Sequence, residues 1–220
     1  MDTLRQVSYD FFAYPAGSVF DADQALRLLD RLPDDGPLTP GGPMAAFLDA
    51  LNGLSPMTSD TGWLAMRAEG ADAGSVIVTT WTNPIGNLNK IADLARHYQL
   101  AVLDLQNNRQ YDPIESVPMQ ITTDGGPEFS WVSDSALESI LDAIEAGEFP
   151  WLTLGRADQL YAQTYRNDDG SWDVEFREGA PERHFHAHTT DRTLVERFLW
   201  EWTLSRPGWR DLLPFKPMTF

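Results

Sequence analysis

One stretch of this chain leaves little choice of conformation. Leu160 to Tyr165 and Ser171 to Arg177 flank Asn167-Asp168-Asp169-Gly170, a turn composition that joins antiparallel strands. In the second strand Trp172, Val174 and Phe176 alternate with Asp173, Glu175 and Arg177. Successive strand side chains point to opposite faces, so one face of the hairpin is apolar and the other charged. Such a hairpin needs further strands or a helix over its apolar face.

The neighbouring residues supply both. Glu178-Gly179 turns the chain into His184 to Thr189, a third strand, and Gln120 to Thr123 suits a short fourth. Ser133 or Ser135 opens a helix with an apolar stripe of Leu137, Ile140, Leu141 and Ile144, and Gly147 is a natural C′ residue. Thr190 or Asp191 caps a last helix carrying Leu194, Val195, Phe198, Leu199 and Trp202, ended by Pro207-Gly208. The tail from Trp209 to Phe220 is apolar enough to pack back. The C-terminal half therefore reads β-α-β-β-β-α.

The N-terminal half reads strand, helix, helix, hairpin, helix, strand. Val7 to Tyr14 is an aromatic-rich strand, and Asp21 with Gln24 has capping-box spacing before Ala25, Leu28, Leu29 and Leu32. Pro33 to Pro43 is a loop, and Pro43 opens a helix closed by Gly53. Trp63 to Ala68 and Ser75 to Trp81 form the expected hairpin. A helix from about Gly86 to Tyr98 then precedes a buried strand, Ala101 to Leu105. This order is compatible with a split β-α-β arrangement. The polar stretch Asn107 to Pro118 marks the expected boundary, giving an α+β protein of two similar halves, residues 1–112 and 113–220, each with antiparallel sheets backed by helices.

Charge excludes some functions. The 220 residues carry 33 acidic and 16 Lys or Arg side chains, a net charge of −17. Both halves share it: 7 basic and 14 acidic groups (−7) in the first, 9 and 19 (−10) in the second. Nucleic-acid affinity comes from cations displacing counterions, so nucleic acid is a poor partner and a basic protein a good one. With no cysteine, thiol nucleophiles and Cys-based zinc sites are ruled out. No run approaches the ~18 apolar residues of a spanning helix. The first residues do not read as a secretory signal, so no membrane is expected and the expected compartment is the cytosol.

The chemistry-bearing residues are few. His184, His186 and His188 share one strand face, with Phe185 and Ala187 opposite. Imidazoles two residues apart on a strand lie roughly 6.5–7 Å apart, so His184 and His186 can reach one metal if a carboxylate such as Asp173 or Glu175 joins them. The alternative is a solvated His face beside the charged face of the hairpin, and no metal or cofactor is expected. Asp168-Asp169-Gly170 fails the spacing of a calcium loop and reads as a turn. No G-x-S-x-G, S-x-x-K or phosphate loop occurs. Most of the tryptophans fall at inward positions. Trp200 is the exception, about 200° around the helix from Trp202 and among Glu196 and Arg197, where an exposed indole would anchor a protein interface.

Two stretches resemble known sequences. Leu94-Ala95-Arg96-His97-Tyr98-Gln99-Leu100 through Asp104-Leu105-Gln106 is similar to a helix-strand signature of small cytosolic bacterial proteins, with Gln99 where Gly is usual and Leu105 where Pro is usual. Tyr161-Ala162-Gln163, the Asp-Gly hairpin, Glu175 to Gly179 and Arg183-His184-Phe185 resemble the strand meander of immunity proteins encoded beside polymorphic toxins. The resemblance implies a non-enzymatic cytosolic protein that binds and neutralises a cognate toxin. The alternative is a metal-dependent hydrolase built on His184 and His186. The residues expected at a partner interface are Asp168, Asp169, Asp173, Glu175 and Trp200.

Overall fold

The computed structural model describes residues 8–32, 40–55, 62–71, 74–81 and 83–218. The chain is α+β, with antiparallel sheets, and divides into two units between Ile114 and Glu115.

In the first unit, β1 (Ser8–Pro15) is followed by α1 (Ala22–Leu29), α2 (Gly42–Leu54), β2 (Glu69–Gly70), β3 (Val76–Trp81), α3 (Pro84–His97), β4 (Leu100–Asp104) and β5 (Arg109–Tyr111). The sheet order is β2-β3-β1-β4-β5. Both β3 and β4 run antiparallel to β1, which lies between them, so β3-α3-β4 is a split β-α-β crossover. Phe12, Tyr14, Ala101 and Leu103 pack with Ala25 and the leucines of α1. Alternation sends Phe11, Ala13 and Val102 to the opposite face, where α3 packs on β4, β1 and β3. Coverage on both faces explains why the apolar run of β4 is buried at every residue.

One expectation is corrected by the sheet. Trp63 to Ala68 does not form a strand of the hairpin. Within the segment only Leu64 pairs with β3, as a bridge to Thr80, and the ladder resumes just beyond it at β2. Side chains of the α2 end hold the segment instead. The Ser55 hydroxyl accepts from the Trp63 and Leu64 amides, and the Asn52 amide bonds both the N–H and the C=O of Ala68. These bonds give the backbone an alternative to the ladder. The expected boundary stretch Asn107 to Pro118 contains the division at Ile114–Glu115, and its first part also adds β5 to the sheet edge.

The second unit contains β6 (Val117–Pro118), β7 (Gln120–Thr123), β8 (Trp131–Val132), α4 (Asp134–Glu145), β9 (Trp151–Ala157), β10 (Leu160–Arg166), β11 (Trp172–Glu178), β12 (His184–Thr189), α5 (Arg192–Thr203) and β13 (Lys216–Pro217). Its main sheet has the order β13-β12-β11-β10-β9-β7, a meander in which chain order is spatial order, and β6 pairs with β8 alone. Ser133 caps α4 by accepting from the Ala136 amide, and Asp191 caps α5 by accepting from Thr193 and Leu194. Gly147, at φ +78, ends α4 with its N–H on the Ile144 carbonyl, the left-handed stop that favours glycine.

Strand β9 is absent from the sequence reading, although Leu152 and Leu154 alternate into the core between half-buried Trp151 and Thr153. It places α4 between two antiparallel neighbours, β7 and β9. The core lies on one face, where Phe176 meets Phe198 of α5, Trp209 and Phe215 at ring separations of 4.7–6.3 Å. Among the described residues no helix is long and apolar enough to cross a membrane.

Candidate functional site

With α5 packed on the Phe176 side, alternation sends every second residue of β10, β11 and β12 to the other face of the sheet. Register fixes the neighbours. Tyr165, Asp173 and His188 form one row, Gln163, Glu175 and His186 the next, and Tyr161, Arg177 and His184 the third. β9 extends the rows with Trp151, Thr153 and Gly155. The result is a polar grid on a rigid sheet.

His184 is the centre of its bonding. Its Nδ1 receives an N–H of Arg177 at 2.9 Å, and its Nε2 is 3.0 Å from a Glu175 carboxylate oxygen. Guanidinium can only donate. Nδ1 is therefore the acceptor, and Nε2 carries the hydrogen it gives to Glu175. The same Glu175 oxygen accepts from the Gln163 amide at 2.9 Å, and Arg177 also donates to Gln159 at 2.6 Å. Tyr161 meets the imidazole edge to face at 5.9 Å, and the Arg177 guanidinium lies 5.4 Å from the Tyr161 ring centroid. Burial raises the Tyr161 hydroxyl above its ordinary range, the Arg177 cation pulls it down, and the Glu175 charge raises it.

This geometry corrects the solvated-face expectation for His184, which is buried while His186 and His188 are exposed. Both nitrogens of His184 are occupied, leaving no lone pair to take a proton from a substrate or to ligate a cation. His188 instead has its Nδ1 2.9 Å from Asp173, whose other oxygen accepts from Asn167 at 3.1 Å. Among the described residues no three His, Asp or Glu side chains converge as metal ligands.

The interface candidates differ in availability. Asp168 and Asp169 are exposed in the β10–β11 turn. Bonds from the Ser171 hydroxyl and amide hold the Asp169 carboxyl below the usual carboxylate range, so it stays charged. Asp173 is half exposed, whereas the Glu175 side chain is only 19% exposed and serves mainly the His184 network. Trp200 is not the exposed indole expected but half-buried. Long helical side chains lean over the preceding turn, so a polar-side position still covers much of a ring. Trp200 lies on α5, which packs on the face of the sheet opposite the grid.

Two further clusters of charge depend on how α5 packs. Asp134, Glu138, Asp142 and Glu145 fall at helical spacing on α4 and are all exposed. From α5, Arg192 donates to Asp142 at 2.5 Å and to Glu196, and its Nε lies 3.6 Å from Glu145. The Glu196 carboxyl is raised by burial, lowered by Arg192, and raised again by Glu138, Asp134 and Asp142. The acidic spacing was legible; its meeting with Arg192 depends on how α4 and α5 pack. At the other end of α5, Arg156 of β9 donates to the carbonyls of Trp202 and Thr203 and to the Ser205 hydroxyl, with its guanidinium 4.6 Å from the Trp202 ring centroid. It caps the helix and offsets its dipole. Beside it, an open cleft of about 690 Å³ is lined by Gln120, Ser130, Gly155 and Leu204 among others.

No family model, curated protein or solved structure matches the chain.

Proposed function

We propose that this chain is a non-enzymatic binding protein that engages a basic protein through its anionic surface. In the fuller form of the reading it works in the cytosol as an immunity protein, neutralising a cognate toxin domain. The single observation that carries the binding reading is the ordered polar grid of β10, β11 and β12, whose buried histidine has both nitrogens engaged. A rigid, hydrogen-bonded surface of this kind suits recognition, because little side-chain freedom is lost on docking.

Charge supports the choice of partner. The net charge of −17 favours capture of a cationic surface by long-range attraction. Asp168 and Asp169 in the turn and Asp173 at the grid edge present carboxylates to solvent, while Glu175 within the grid is mostly covered and bonds His184 and Gln163. The immunity role itself rests on the resemblance of the Tyr161 to Phe185 region. The metal-dependent hydrolase is the weaker reading, since His184 offers no free nitrogen.

The test is co-expression with the protein encoded in the adjoining reading frame. The proposal expects that protein to inhibit growth alone and to be neutralised in a stable complex with this chain. A harmless neighbour that forms no complex would count against the immunity role. Turnover of a substrate by the purified chain, abolished by Glu175→Gln, would overturn the non-enzymatic reading altogether.

A further inference from the structure

Phe20 sits where a helix start normally recruits an apolar side chain. Asp21 caps α1, its carboxylate accepting from the Gln24 amide at 2.7 Å, while the Gln24 side chain accepts from the Phe20 N–H at 3.3 Å. An apolar residue just before the cap usually closes over the residue four into the helix, here Ala25. Ala25 is fully buried without it, and Phe20 stands 91% exposed, the most exposed large hydrophobic among the described residues. Its neighbour Val19 packs against the cluster of Phe12, Tyr14 and Leu103.

The loop that carries Phe20 is firmly held. The Ala16 amide bonds the Gln99 carbonyl at 3.0 Å, and the Ser18 hydroxyl bonds the Pro15 carbonyl at 2.7 Å. The buried carboxylate of Asp112 accepts from the Gly17 amide at 2.7 Å and from the Ile114 amide at 2.8 Å. Gly17 has φ +69, and Ile114, itself 52% exposed, lies with its Cδ1 3.4 Å from where a Gly17 Cβ would stand. The backbone that presents Phe20 is thus held on both sides. Exposed Asp21 and Asp23 flank it at the helix start, and the cation of α1, Arg27, belongs to the last turn.

We propose that the Phe20 loop is a docking anchor, its benzyl group inserting into an apolar pocket rimmed by Lys or Arg on a protein partner. An exposed aromatic on a held backbone, with polar neighbours, is the kind of anchor found at interface hot spots, and the paired carboxylates select a cationic rim. The proposal rests on the binding-protein reading above for the class of partner and adds a contact on the N-terminal unit.

The test places p-benzoylphenylalanine at Phe20, and separately at Tyr165 on the polar grid, in the organism that encodes the chain. The cross-linked protein is then purified and titrated against wild type, Phe20→Ser and the Asp21→Asn/Asp23→Asn pair. Asparagine caps a helix as well as aspartate does, so that pair removes charge while keeping α1. One basic protein captured from both positions is expected, with Kd weakened roughly tenfold to a hundredfold by Phe20→Ser and slower association for the Asn pair. Phe20→Ser should keep Tm within about 2 °C, since it removes no buried contact. An adduct from Tyr165 with none from Phe20, or a Kd indifferent to Phe20→Ser, overturns the anchor and leaves the grid reading standing. A basic protein captured from Phe20 alone and released by Phe20→Ser supports the anchor and removes the grid. No discrete adduct from either position, or an acidic protein at Phe20, overturns the anchor.

Discussion

Replacing His184 with Ala removes two hydrogen bonds to charged groups, one from Arg177 and one to Glu175. Each such bond contributes roughly 1.5–3 kcal/mol. Some of that is recovered, because Glu175 keeps Gln163 and Arg177 keeps Gln159, and the carboxylate regains some water. The edge-to-face contact with Tyr161 adds about 0.5–1 kcal/mol. The net loss expected is about 3 kcal/mol. With a urea slope of about 1–3 kcal/mol per molar for a small unit, the midpoint should fall by about 1–3 M. Tryptophan emission reports the transition, since Trp172 is buried on the adjoining strand. A double-mutant cycle with Glu175→Gln should show coupling of about 1–2 kcal/mol. A midpoint that hardly moves, or strictly additive losses, would refute the claim that Glu175, His184 and Arg177 act as one network.

Further outcomes follow from other parts of the structure. Arg156→Met leaves the last carbonyls of α5 without their cation and should cost about 1–3 kcal/mol, read as lost amide protection at Trp202 to Ser205. Gly126→Ala would push a methyl group into the buried Phe149 ring, costing about 1–3 kcal/mol in thermal unfolding. Glu196 is raised in the folded chain, so its contribution is fully present below its unfolded pKa and is lost as pH rises through the higher folded value. Glu196→Gln should therefore compare more favourably with wild type at pH 7 than at pH 4; the reverse ordering of Tm values would contradict the stated cause. Charge reversal at exposed Asp168 should slow association with a basic partner while leaving Tm nearly unchanged; reversal at Asp169 should also cost stability, because it removes the bonds from Ser171.

Much of the fold could be read because local signals agreed. Alternation across Trp172 to Arg177, the turn at Asn167 to Gly170 and the cap at Asp21 each specify a local structure that packing then preserves, and of the paired cap candidates the structure uses Ser133 and Asp191. Failures came where side chains from elsewhere decided the outcome. Asn52 and Ser55 tie the backbone of Trp63, Leu64 and Ala68 to the end of α2, and nothing inside that segment announces them. The site was half legible. Sequence alternation places Asp173, Glu175 and the histidines on faces, but only register puts Arg177 against His184 and buries that ring. Phe20 was invisible for the opposite reason, since an apolar residue before a helix cap is expected to be covered.

The most direct measurement is the association rate of the purified chain with the protein encoded in the adjoining reading frame, followed by stopped flow as salt is raised. An anionic recognition surface predicts rapid association at low salt, falling by an order of magnitude or more toward high ionic strength. A rate indifferent to salt, or no association at micromolar concentration, would contradict it.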